Sequence, residues 1–283
     1  MKKILTLGFS LLLATVSFSQ ELPKPSPKAT VAQRVGLTDI EITYSRPAVN
    51  DREIWGDLIP YNKVWRTGAN EPTKITFSTP VKFGKEEVEA GEYAIFTMID
   101  SNNLDTYVYI NSVTEGWGTD KYEEKNNVAV YKTRLLPSKL AAQNMMFYFD
   151  RITSGKAHLI LSWANKEIFI PISVDYIAPS MRNIDMALSD NETPDFRTYK
   201  NAAAFYIDNE LKPEVALEYA KTSVEMEEHF WNVYTLSEAY AANGDYKNAI
   251  KYANKSKELS IKANYEPYVK MNEKNIQMWE TMK

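Results

Sequence analysis

Three short motifs concentrate the side chains able to recognise or transform a ligand: YSRP at 44–47, WRTGAN at 65–70 and GWG at 116–118. Arg46 and Arg66 carry planar guanidinium groups, which grip carboxylate or phosphate through paired hydrogen bonds and stack on rings. Arg46 precedes Pro47, which biases it to an extended backbone. Trp55, Tyr61, Trp65 and Trp117 offer flat faces for a sugar or another planar ligand. Tyr44, Arg52 and Asn70 add polar groups beside them. The candidate binding set is therefore Tyr44, Arg46, Arg52, Trp65, Arg66, Asn70 and Trp117. The competing expectation is structural: the arginines pair with Asp51, Asp57 or Glu71, and the tryptophans fill one end of a core. Within WRTGAN, Gly68 permits a left-handed or closely approached backbone and Asn70 caps the turn. Arg66 is then aimed inward or into a cleft.

Catalysis finds less support. Asp51, Glu53, Asp57 and Glu71 could supply a glycosidase-type acid and base. They are interleaved with Arg46, Arg52 and Arg66, a mixture that points to a salt-bridged loop rather than a raised-pKa acid. The only two histidines are His158, in the strand pattern AHLILSW, and His229, in a helix beside Phe230 and Trp231. They lie too far apart in sequence to suggest a triad or a metal site. There is no Gly-rich phosphate loop and no GxSxG. The chain has no cysteine, which excludes disulfides, thiolate nucleophiles and zinc–cysteine sites. No catalytic residue, cofactor or metal is assigned. A carboxylate-dependent hydrolase acting on an envelope or glycan substrate is the enzymatic alternative.

The residues that position these motifs fall into four segments. Residues 1–19 read as a secretory signal peptide: Lys2 and Lys3, an apolar run from Ile4 to Val16, then Ser17 and Ser19 before cleavage at Gln20. That run is too short for a finished membrane span, and no later segment reaches the ~20 apolar residues a span needs. The chain is thus expected to be exported, periplasmic or secreted, with no integral membrane segment after cleavage. Without Lys2 and Lys3 the formal charge of −4 becomes −6. A mildly acidic chain with no long basic run argues against nucleic acid as a partner. Residues 20–28, with prolines at 23, 25 and 27, read as an extended lead-in.

Residues 29–177 carry strand patterns throughout. DIEITYS alternates with period two, followed by TKITFS and VKFGKEEV with Gly84-Lys85 as a turn. EYAIFTMI is apolar on both faces and reads as a central, covered strand. DTYVYI, NVAVYKTRL, NMMFYFDRI, AHLILSW and EIFIPISV complete about nine segments. The pattern indicates an antiparallel sandwich or barrel. The stretch from Pro47 to Asn70 interrupts it, too long for a hairpin, with one helical turn expected over EIWGDLI; loops of this length are usually functional or self-packed.

Residues 178–283 switch to helical spacing. ALEYAKTSVEM at 216–226 aligns with AIKYANKSKEL at 249–259, an offset of 33 that marks stacked helical hairpins. VYTLSEAYAANGDYKNAIKYANKS resembles a tetratricopeptide repeat through Leu236, Ser237, Tyr240, Gly244, Tyr246 and Ala249. Two repeats and a capping helix, YEPYVKMNEKNIQMWETM, are expected. The fold class is α+β multidomain: an antiparallel β-sandwich or barrel, then an all-α tetratricopeptide-like region.

YSRP, DREIWGDLIPYNKVWRTGANEPTKITF, AGEYAIFT and GWGTDKYEEKNNVAVYK also resemble a largely exported bacterial family, domain of unknown function 2911. The likeness runs from about Ser26 to Val174. Its hallmark positions here are Tyr44, Arg46, Arg52, Gly56, Trp65, Arg66, Gly68, Asn70, Trp117 and Gly118; Asp51 stands where the family usually has Gly. The resemblance implies no established activity, and members with an appended helical region support the division. The resulting expectation is a binding or adaptor protein. Its β-sandwich would hold a small polar or glycan-like ligand and its helical repeats would contact a protein partner. The alternatives are the hydrolase and a purely structural adaptor.

Overall fold

A computed structural model describes residues 22–189 and 194–282. The expected signal peptide and the first two residues of the lead-in lie outside the described residues. The chain divides into two compact units, Met1–Asp175 and Tyr176–Lys283.

The first unit is two antiparallel sheets. β1 (Lys28–Val35), β2 (Thr38–Ser45), β3 (Thr73–Phe77), β6 (Gly91–Ile99), β7 (Asp105–Asn111) and β8 (Asn127–Arg134) form the larger, in the order β1-β2-β3-β6-β7-β8. β4 (Val81–Phe83), β5 (Glu86–Val88), β9 (Leu136–Asp150) and β10 (Lys156–Val174) form the smaller, ordered β5-β4-β10-β9. Neither sheet closes into a barrel. Alternation does what period two requires: Ile40, Ile42 and Tyr44 of β2 turn inward while Asp39 and Glu41 face water. The inward faces share one apolar core in which Ile75, Ile95 and Ile110 of the larger sheet join Phe147, Leu161 and Ile170 of the smaller.

Two strands differ from their sequence patterns. AHLILSW and EIFIPISV are one strand, β10, continuous through bulges at Ala164, whose φ is +50°. KATVAQRV is β1; of its apolar positions only Val35 is fully buried and Ala29 and Val31 are partly so, which leaves the periodic signal faint. EYAIFTMI is the body of β6, flanked by β3 and β7, and its outer face is covered because Phe96 and Tyr109 pack with Tyr122 from the 112–126 loop.

The 46–72 excursion seals one end of this core. Trp65 lies stacked on Trp163 at 6.0 Å, and Trp55 meets both edge-on at 6.1 and 6.2 Å. EIWGDLI is not a helical turn. Backbone bonds from Ile59 to Ile54 and from Gly56 to Ile59 close a tight turn, with Trp55 bridging Ile59. Gly56 has φ +102° and the Tyr61 ring lies 2.8 Å from where a Cβ would stand, so only Gly fits.

The second unit is helical: α1 (Ile177–Ser189), α2 (Phe196–Asp208), α3 (Pro213–Met226), α4 (Phe230–Ala242), α5 (Tyr246–Lys262) and α6 (Glu266–Glu280). Small residues set the spacing, with Ala203, Ala220 and Ala239 between α2, α3 and α4, and Ala249 and Ala253 meeting Trp279 of α6. The offset of 33 has a physical cause in Ser223 and Ser256. Each donates from its hydroxyl to the first carbonyl of an earlier helix, Phe196 O and Phe230 O, both at 2.7 Å. Each hydroxyl in turn accepts from an asparagine, Asn232 at 3.1 Å and Asn272 at 2.9 Å. Pro213, at the first position of α3, needs no intrahelical donor there.

Candidate functional site

The structure sorts the seven candidate residues into pins and free groups. Tyr44 is a pin: it is buried, edge-on to Phe147 at 4.9 Å, and its hydroxyl accepts the Phe147 N–H at 3.1 Å, tying the larger sheet to the smaller. Arg46 donates from Nε to Met145 O at 3.0 Å while its own N–H bonds Pro27 O. This fastens the excursion over the outer edge of β9. Arg52 is exposed and donates from Nε to Val49 O at 3.0 Å and from Nη2 to Ala48 O at 2.5 Å. Asn70, with φ +61°, donates to Ser45 Oγ at 3.1 Å and Ser26 O at 3.3 Å.

Trp65 corrects the expectation of a stacking platform. It is 8% exposed, one face lies on Trp163, and its indole N–H donates to Gly68 O at 3.0 Å. Trp55 is buried in the same cluster, so neither ring stands free as a stacking platform. Gly68 is needed for space rather than for a left-handed backbone: a Cβ there would meet Thr73 Oγ1 at 2.9 Å and Ser45 O at 3.4 Å. The left-handed residues of the motif are Thr67 and Asn70. Thr67 is β-branched, and its strained φ of +56° is held by Thr73 Oγ1 donating to its carbonyl at 2.6 Å. Upstream, Asn50 and Asp51 both have positive φ, +47° and +56°, which explains why Gly suits position 51 and why Asp is accepted.

Arg66 stands apart. Trp65 exchanges two backbone bonds with Thr97, at 2.8 and 2.9 Å, and points into the core. Alternation therefore sends Val64 and Arg66 to the outer face of β6, where Val64 packs against the Phe96–Tyr109–Tyr122 cluster. The Arg66 side chain is partly buried there, and its Nε is enclosed without a hydrogen-bond partner. Among the described residues no carboxylate lies within ion-pair reach, and burial holds the guanidinium below its ordinary pKa. The expected partners lie elsewhere: Glu71 pairs with Lys24 at 3.8 Å, and Asp51, Glu53 and Asp57 are exposed.

The GWG turn comes to this arginine. Gly118 N–H bonds Asn70 O at 3.3 Å, and a Cβ on Gly118 would lie 3.9 Å from Arg66 Nη1. Gly116 and Gly118 have φ of +124° and +66°, and the Trp117 N–H is held by Asp120 Oδ1 at 2.9 Å. This fixed turn presents Trp117 with 59% of its surface exposed. Burial also raises the neighbouring Tyr109 to about 12 and pushes Tyr122 upward, so both hydroxyls stay protonated donors. The result is a cation with a free donor, a flat exposed indole and neutral phenols on one sheet face. It is suited to an anionic, planar or sugar-like group.

A concavity of about 480 Å³ lies apart from this face, lined by Arg52, Glu53, Trp55, Tyr61, Gln143 and Lys166 among others. It forms where the excursion meets the Ala164 bulge. Sequence spacing missed Gln143 and Lys166 because strand pairing alone brings them to Arg52. The two histidines join neither place. His158 lies on β10, and His229 precedes α4 rather than lying within it, stacked on Trp231 at 4.9 Å with Nε2 2.7 Å from Glu227 Oε1. Among the described residues no helix is long and apolar enough to cross a membrane.

A family model described as Protein of unknown function (DUF2911) matches residues 26–172. No curated protein and no solved structure gives a match.

Proposed function

The chain belongs to the DUF2911 family, and on that premise we propose that it is an exported binding and adaptor protein rather than an enzyme. Its β unit holds a small polar or glycan-like ligand bearing a carboxylate or phosphate, and its helical unit contacts a protein partner. The observation that carries the ligand reading is Arg66, a partly buried guanidinium with an enclosed, unbonded Nε and no carboxylate to neutralise it. Buried donors in folded proteins are nearly always satisfied, so a guanidinium that is only partly buried and has an unmet donor keeps bonding capacity for an acceptor at its accessible end. Trp117 supplies the stacking face. Arg52 is the weaker choice because backbone carbonyls already take its Nε and one Nη2 donor and hold it against its own loop.

The purely structural reading is favoured at Tyr44, Arg46, Trp65 and Asn70, each of which bonds another part of the fold. The motifs then serve two ends: four residues set the frame, and Arg66 with Trp117 face outward from it.

Calorimetric titration with a short oligogalacturonate, a sugar phosphate and a neutral oligosaccharide of equal length tests the reading. The acidic probes are expected to bind and the neutral one to bind at least tenfold more weakly. Arg66→Met and Trp117→Ala should each reduce acidic-probe affinity roughly tenfold or more, the scale of a charge-assisted hydrogen bond or a stacked ring. Equal affinity in both variants would remove the ligand site from this face.

A further inference from the structure

The concavity beside the Ala164 bulge takes no part in the site at Arg66. One of its walls is a gap in the smaller sheet. β10 pairs Ala164 with Ala142 and Lys166 with Pro137, so Ser138, Lys139, Leu140 and Ala141 of β9 stand opposite Asn165 alone. These extra residues close on themselves, with Ser138 Oγ donating to Leu140 O at 2.7 Å and accepting the Leu140 N–H at 3.3 Å. The other wall is the excursion, fastened to β9 by the Val49 N–H, which donates to Gln143 O at 2.8 Å. Non-glycine residues with positive φ flank both walls, Ala164 on one and Asn50 and Asp51 on the other. Backbone of this kind persists only where its surroundings hold it, so the gap is a fixed feature of the fold. Ala141, Ala142 and Ala164 leave the space open, and its volume of about 480 Å³ lies in the range of small-molecule sites.

The side chains around it carry both signs of charge. Arg52 and Glu53 stand on the excursion, and the half-buried Lys166 on β10. Among the described residues, none of these three is in an ion pair. Arg52 is held in place through Nε and Nη2, which leaves Nη1 on an already positioned guanidinium. Gln143 and Asn165 add side-chain amides, which donate and accept as a peptide bond does. Val49, Ile54 and Tyr61 supply apolar surface. A simple anion would meet Glu53 as a like charge, and a simple cation would meet Arg52 and Lys166. A ligand bearing both charges suits the whole set. We propose that this concavity binds a short peptide with free ends. Its carboxylate pairs with Arg52 and Lys166, its ammonium with Glu53, and its peptide bond with the amides of Gln143 and Asn165.

Calorimetric titration of the full chain with the dipeptide Ala-Leu, its N-acetyl form and its C-terminal amide tests this. The free dipeptide is expected to bind, and loss of either end charge should weaken it roughly tenfold or more, the scale of one charge-assisted hydrogen bond. Glu53→Gln should bring the free dipeptide down to the level of the acetylated form. Lys166→Met should weaken the free dipeptide while leaving the amide unchanged. Ala141→Trp should abolish binding by filling the space. These positions serve better than Arg52, whose bonds also hold its own loop. Equal affinity for the free and acetylated dipeptides overturns the recognition of a two-charge ligand. Failure of the free dipeptide to bind, or binding that survives Ala141→Trp, overturns the site itself.

Discussion

Replacing Trp65 by Ala lowers the stability of the β unit by about 3–5 kcal/mol, the range for deleting a buried large aromatic side chain. The loss has two parts. The ring leaves a void against Trp163 and Trp55, and the Gly68 carbonyl loses the indole N–H that bonds it at 3.0 Å. In a unit of this size the midpoint should fall by roughly 10 °C, at 2–4 °C per kcal/mol. Heat or urea unfolding followed by near-ultraviolet circular dichroism measures it. A change below about 1 kcal/mol would mean that the excursion does not seal the sandwich, since such values belong to surface substitutions.

The second large effect is a pH dependence confined to the helical unit. Burial raises Glu238 from an ordinary 4.5 to about 7, against weaker opposing pulls from Tyr234, Asn275 and Lys200. Between those values the native state keeps a proton that the unfolded chain releases, so stability falls as pH rises through the window and levels off above about 7. A shift of that size corresponds to on the order of 3 kcal/mol at 1.36 kcal/mol per pH unit. Glu238→Gln keeps the shape and removes the charge. It should match the unaltered protein near pH 4.5, exceed it by roughly 2–3 kcal/mol at pH 8, and flatten the profile between. Parallel profiles in the two proteins would show that the carboxyl is solvated and titrates normally.

The large-scale plan was legible because it depends on periodicity. Ile40, Ile42 and Tyr44 alternate, and Ser223 and Ser256 recur at the offset of 33, so both the sandwich and the paired helices announce themselves locally. What escaped depends on which distant residues meet. β10 reads as two strands because Ala164 and its neighbours break the alternation at a bulge. Interleaved arginines and carboxylates suggest ion pairs, yet Arg46 and Arg52 bond carbonyls, a partner that no side-chain inventory reveals. Trp65 and Trp117 look alike in sequence. One is buried because β6 takes it in register with Thr97, and the other is exposed because a two-glycine turn lifts it out. Glu238 occupies an ordinary polar position of a helix, and only the packing of α2 and α6 around α4 makes it unusual.

The division of the motifs between frame and ligand rests on Arg66, and thermal unfolding of Arg66→Met in the absence of any ligand tests it most directly. A guanidinium with an unbonded Nε and no carboxylate partner contributes little to stability and is held at the cost of partial desolvation. The midpoint is therefore expected to stay within about 2 °C of the unaltered protein or to rise, as for substitutions outside the packed core. Breaking a buried pair costs ~3–5 kcal/mol, or a fall of about 10 °C in a unit of this size. A fall of that magnitude would contradict the account and return Arg66 to the frame with Tyr44 and Trp65.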